Sequence, residues 1–120
     1  MYEIIFYKNK NDKDEITDYL LELDKKAHTS KEAKQKLKKI LEYIGKLKTY
    51  GTKIGEPATK HLDGDIWELR PLRDRVLYAY WKDKTFVLLH HFQKKTNKTP
   101  PRELTKAKSN LKDWIERNGK

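Results

Sequence analysis

Apolar positions recur along the chain with two different periods, and the change from one to the other divides the sequence near its middle. Tyr2-Glu3-Ile4-Ile5-Phe6-Tyr7 is rich in β-branched and aromatic residues and predicts a first strand, ended by the polar run from Asn9 to Asp14. Between Asp14 and Lys25, Ile16, Tyr19, Leu20 and Leu23 fall at helical spacing. The opposite face of that short helix is acidic, with Asp12, Asp14, Glu15, Asp18, Glu22 and Asp24. Thr29-Ser30-Lys31-Glu32 has the form of a capping box, with Thr29 as N-cap and Glu32 three residues on. The helix it opens carries Ala33, Leu37, Ile40, Leu41, Ile44 and Leu47 on one stripe and stops near Tyr50-Gly51. So short a link between the two helices predicts an antiparallel hairpin.

From Ala58 onward the period falls to two. Ala58 to Leu62 and Ile66 to Arg70 flank the turn Asp63-Gly64-Asp65, and Arg75 to Trp81 and Thr85 to Phe92 flank Lys82-Asp83-Lys84. Tight hairpins in succession make an antiparallel meander. Thr99-Pro100-Pro101 then opens a last helix, with Thr99 as N-cap and Pro100 tolerated at the first helical position. Leu104, Ala107, Leu111 and Ile115 share one face of it, Trp114 sits beside them, and Asn118-Gly119 closes it. The order reads β-α-α-β-β-β-α, which places the chain in the α+β class: an antiparallel sheet packed against a helical hairpin and a C-terminal helix. A length of 120 residues suits a single domain over 1–120.

Composition adds a charged surface to that frame. Charged residues make up 38% of the chain and hydrophobic ones 36%, and the formal net charge is +10. Such an excess of Lys and Arg attracts polyanions, and nucleic acid is the commonest, because each neutralised phosphate releases condensed counterion. No apolar run approaches the ~18 residues of a spanning helix, and the first residues lack the basic start of a signal peptide. With no Cys there are neither disulfides nor thiolate metal sites. The expectation is a cytoplasmic protein that does not engage membranes.

Candidate chemistry gathers in two places. His90-His91-Phe92-Gln93-Lys94-Lys95-Thr96-Asn97-Lys98-Thr99-Pro100 leaves the last strand and enters a helix N-terminus. Its lysines, hydroxyls and free backbone N–H groups suit phosphate oxygens, a His supplies proton transfer and Phe92 a stacking face. The blander alternative is a solvated basic loop. Arg70, Arg73 and Arg75 crowd the turn around Pro71-Leu72. Guanidinium groups fork onto phosphate, and fixed cations favour the charge that builds during attack by a 2′-hydroxyl. Counting strand alternation by residue number sets Trp67, Leu69, Leu77, Ala79, Val87 and Leu89 on one sheet face, the one to be covered by helices. Glu68, Arg70, Tyr78, Tyr80, His90 and Phe92 then share the other, although Tyr78 and Tyr80 also suit plain sheet packing and Glu68 with Arg70 a plain ion pair. His28, His61, His90 and His91 show no metal-ligand spacing, and neither glycine-rich nucleotide motif is present. The lysines of the second helix, from Lys31 to Lys48, read first as a solvated outer face.

Three blocks taken together resemble a known family. Leu62-Asp63-Gly64-Asp65-Ile66-Trp67-Glu68-Leu69-Arg70, Arg75-Val76-Leu77-Tyr78, and the run from Val87 to Pro100 are similar to the phage-derived branch of RelE/HigB toxins. The resemblance implies a type II toxin–antitoxin system whose toxin cuts messenger RNA in the ribosomal A site, without metal or cofactor, and is neutralised by a helix-turn-helix antitoxin. By matching position it implies catalytic roles for Arg70, Arg75, His90, Lys94 and Lys95. It implies RNA-binding roles for Arg73, Tyr78, Phe92, Thr96 and Lys98. His91 departs from the family, which often has a small residue there. Two alternatives stay open: a ParE-like gyrase poison on the same scaffold, and a non-catalytic basic module that binds RNA or ribosomes.

Overall fold

Local chemistry starts each helix. The computed structural model describes all residues, 1–120, and in it the Asp14 carboxylate accepts from the Thr17 N–H at 2.9 Å to open α1 (Glu15–Lys26). Ser30, rather than Thr29, caps α2 (Lys31–Tyr50), accepting from the Ala33 N–H at 3.1 Å. The capping-box register is therefore one residue early, and Glu32 sits a position short of the one needed to bond back. The two helices form the expected hairpin, followed by a 3₁₀ turn (Gly51–Ile54). The apolar stripe of α2 buries Ala33, Ile40, Ile44 and Leu47 but leaves Leu41 exposed at its margin.

The strands are β1 (Glu3–Phe6), β2 (Thr59–Asp63), β3 (Ile66–Leu69), β4 (Asp74–Tyr80) and β5 (Thr85–Gln93), and the chain ends on α3 (Pro101–Asn118). They form one sheet in the order β1-β5-β4-β3-β2. The α+β class holds, with two departures. The meander has four strands, because the second strand of one hairpin and the first of the next are distinct and joined by the Pro71–Arg73 turn. β1 pairs with β5 in parallel, so the sheet is mixed rather than wholly antiparallel. A whole helical hairpin intervenes before the meander, which leaves β1 free to enter the edge in either sense.

Both sheet faces are covered, which corrects the single-face expectation. The helical hairpin packs Ile16, Leu23, Ile40 and Leu47 on Leu69, Val76, Tyr78, Phe86 and Leu88. On the other side Ala107 of α3, with Leu104 and Leu111, covers Ile66, Leu77, Ala79, Val87 and Leu89. Counting by number also mixes the two faces. Trp67 lies opposite Tyr78 and Glu68 opposite Leu77, so Trp67 and Leu69 belong with Tyr78 under the hairpin. In β5 the register then slips: Leu88 opposes Tyr78 while His90 opposes Leu77. This bulge inserts one residue and inverts the alternation beyond it. His90 and Phe92 are thereby turned to the α3 side, the same side as Glu68 and Arg75. No helix is long and apolar enough to cross a membrane.

Candidate nucleic-acid interface

The β5 bulge, the end of β3 and the start of β4 bring three separated segments to one corner of the sheet. Glu68 lies in β3 and Arg70 directly follows it, Arg75 and Phe92 face each other across β4 and β5, and the loop from Lys94 to Thr99 completes the corner. Together they line a small pocket in which Lys94, Thr96, Asn97, Lys98 and Thr99 form the loop wall and Phe92 is the one hydrophobic side chain. Arg70, Arg75, Lys94 and Lys98 thus converge as expected.

Glu68 organises these cations. It is buried at 2% exposure, with Arg70 Nε 3.2 Å and Arg75 Nε 4.0 Å from its Oε1. Thr99 donates its hydroxyl to Oε2 at 2.7 Å. Thr99 is consequently not the cap of α3: Pro100 occupies that place without a side-chain bond, and Pro101 is the first helical residue. Arg70 Nε is buried and makes no well-aligned hydrogen bond, so its guanidinium is positioned by charge and not by a fixed donor–acceptor pair. The loop is held by backbone: the Lys94 N–H donates to the Arg73 carbonyl at 2.7 Å, and Arg73 Nη2 donates to the Lys94 carbonyl at 3.0 Å. Within the loop the Thr96 hydroxyl donates to the Lys98 carbonyl at 2.8 Å.

Several expected residues stand elsewhere. Arg75 is buried and commits Nη1 to the carbonyls of Leu72 and Asp74, each at 2.8 Å, so it braces the turn and offers the pocket only its remaining edge. Burial pulls its pKa below the ordinary value, against the Glu68 charge that favours the guanidinium. Arg73 does not line the pocket; it staples the loop from outside. Tyr78 is corrected as an RNA contact. It is wholly buried under the helical hairpin, its hydroxyl 2.6 Å from that of Thr59, on the sheet face away from the pocket. Burial raises its pKa to about 12. Lys95 does not line the pocket; it lines a neighbouring depression.

His90 is also outside the pocket lining. Its ring lies between two carboxylates, with Nδ1 2.5 Å from Glu15 Oε1 and Nε2 2.8 Å from Glu103 Oε1. Both ring nitrogens are taken, so it ties the first turn of α1 to the first turn of α3 and holds no lone pair toward the pocket. Burial by itself lowers the His90 pKa, but the hydrogen bonds and charges of Glu15 and Glu103 outweigh it and the net shift is upward from 6.5. Glu15 is desolvated as well, yet its bonds to His90 and to the His91 N–H leave its pKa lowered. A His pKa raised by folding stabilises the native state fully below the unfolded value, and that stability disappears as pH climbs through the folded value. Melting temperature is therefore expected to fall as pH rises above about 6.5 in the wild type, and His90→Gln should flatten that slope. An unchanged slope in the variant contradicts a charged His90. His91 sits on the opposite face, stacked on Tyr19 with ring centroids 3.9 Å apart and Nε2 3.0 Å from Asp74 Oδ1.

From the sequence, Glu68 was visible only as one half of an ion pair, Thr99 as a helix cap and loop hydroxyl, and Asn97 had no role of its own. The available signal was Glu68 alternating with the apolar Trp67 and Leu69 in a strand now buried on both faces. No set of three His, Asp or Glu side chains is arranged to hold a metal ion. The chain matches a family described as phage-derived protein Gp49-like (DUF891) over residues 18–112, which takes in α2, the whole meander, the pocket and most of α3. No curated protein matches it.

Proposed function

The chain belongs to the phage-derived Gp49-like family, and from that membership and its cationic corner we propose that it is the toxin of a type II toxin–antitoxin system. In this proposal it is a RelE/HigB-type endoribonuclease that needs no metal, cuts messenger RNA in the ribosomal A site, stops translation and growth, and is neutralised by a helix-turn-helix antitoxin. The observation that carries the proposal is the convergence of Arg70, Lys94 and Lys98, from two separated segments, on one polar pocket ordered by a buried carboxylate. As a 2′-hydroxyl attacks, the phosphate gains charge, and cations already held in place stabilise it without reorganising. Arg70 and Lys98 would hold the phosphate oxygens and Lys94 the departing 5′-oxygen. Glu68 positions Arg70, Lys94 as an ammonium protonates the departing oxygen, and the 2′-hydroxyl proton passes to water, because His90 is engaged by Glu15 and Glu103.

That same engagement of His90 favours a second reading, a basic module that blocks ribosomes without cutting. The two readings and the gyrase alternative separate in one experiment. Purified protein is added to a translating extract, and message integrity is followed alongside translation. The nuclease gives arrested translation with cut messages; a binding module arrests translation and leaves messages whole. A gyrase poison leaves translation running and breaks supercoiled DNA when gyrase is present.

A further inference from the structure

We propose that the depression next to the cationic pocket is a nucleoside subsite, in which a base stacks on Phe92 and the following phosphate rests on Lys95 and Arg102. The ligand is then a single strand reaching over at least two phosphates. This rests on the nucleic-acid reading above and assigns Arg102 a role there.

Size separates the two spaces. The cationic pocket encloses only about 10 Å³, enough for part of a phosphate group at its mouth and too little for a base. The neighbouring cavity has a volume of about 320 Å³, inside the range of small-molecule sites. Phe92 is a wall of both, so one residue stands between the small cationic pocket and a nucleoside-sized cavity. Consecutive lysines serve opposite sides of that wall, Lys94 the pocket and Lys95 the cavity. A single strand has the same alternation of phosphate, nucleoside and phosphate, and stacking on a ring tolerates any base.

The charges on the far side are consistent with an anion. Lys95 and Arg102 line the cavity beside Pro100, and Arg102 projects into solvent at 78% side-chain exposure. One carboxylate opposes them, that of Glu103. Its Oε1 is bonded at 2.8 Å to the His90 ring, which it shares with Glu15, and its other oxygen meets Arg102 Nε only at 3.8 Å. Lys95 has no ion-pair partner, so the two cations outnumber the one carboxylate that lines the cavity with them.

Binding of uncuttable RNA tests the subsite. Oligoribonucleotides with 2′-O-methyl riboses, one to four nucleotides long, are titrated by fluorescence anisotropy at several salt concentrations. Affinity is expected to rise steeply once two phosphates are present. Lys95→Ala and Arg102→Ala should each reduce the slope of log affinity against log salt by about 0.7, one single-strand phosphate contact. Phe92→Leu should weaken binding by about tenfold with the slope unchanged, since it removes stacking and no charge. If Lys95→Ala and Arg102→Ala match the wild type while Arg70→Ala weakens binding, the subsite is wrong and the cationic pocket stands. If Arg70→Ala is also without effect, the nucleic-acid reading falls with it. Both exposed substitutions lie outside the core, so loss of fold does not confuse the comparison.

Discussion

Arg70→Ala is expected to slow message cleavage by about 10²–10³-fold, the usual cost of removing one preorganised donor from a developing oxyanion. Arg70 is the pocket cation best suited to that task. Its side chain is partly exposed, and Nε lies 3.2 Å from Glu68 without a fixed hydrogen bond, so it can turn toward a phosphate while staying anchored. Arg75 cannot do the same, because Nη1 is spent on the Leu72 and Asp74 carbonyls. Arg70→Lys separates charge from geometry: it keeps the cation beside Glu68 and loses the fork, and an intermediate rate is expected. Single-turnover cleavage by folded variants is the measurement. Wild-type rates from Arg70→Ala would place the chemistry elsewhere on the molecule.

Glu68→Ala should be the most destabilising change in the pocket, costing about 3 kcal/mol and on the order of 10 °C in melting temperature. The carboxylate is desolvated, faces two guanidinium groups and accepts from Thr99 at 2.7 Å. Its removal leaves Arg75 buried against nothing but carbonyls and frees the loop that Thr99 closes. Glu68→Gln keeps the Thr99 bond and should cost less. Added inorganic phosphate should restore part of the loss in Glu68→Ala, since an anion bound only by the folded state shifts the equilibrium toward it. A thermal melt of Glu68→Ala that overlays the wild type, with or without phosphate, contradicts the organising role given to this residue.

The helices were legible because each is decided by its own stripe. Leu23, Ile40 and Ala107 declare their faces at helical spacing, and only cap positions moved, Thr29 to Ser30 and Thr99 to Pro100. The strands were legible as strands, but their partners were not. Nothing near Ile4 or Ile5 encodes parallel pairing with β5, and nothing in Leu88-Leu89-His90 marks the bulge. That one inserted residue decides the site. It carries Phe92 to the side of Glu68 and Arg75, and it carries His90 between Glu15 and Glu103, where two helix starts meet. The basic loop from Lys94 to Lys98 was readable from composition, because a phosphate site on a surface loop is built from residue types that cluster in sequence. Tyr78 was not readable, since a tyrosine in a strand suits either face and register alone buried this one beside Thr59. The family match supports the toxin frame without reaching the chemistry, which still rests on the pocket's own groups.

The central claim is that these cations stabilise a phosphodiester attacked by its own 2′-hydroxyl, and end chemistry tests it most directly. A message carrying one 2′-deoxyribose at a mapped cleavage position is translated in an extract containing the purified protein. Fragments from the unmodified message should end in 2′,3′-cyclic phosphate and begin with 5′-hydroxyl, and the deoxy substitution should abolish cleavage at that position alone. Equal cleavage of the deoxy message, or fragments beginning with 5′-phosphate, would contradict it.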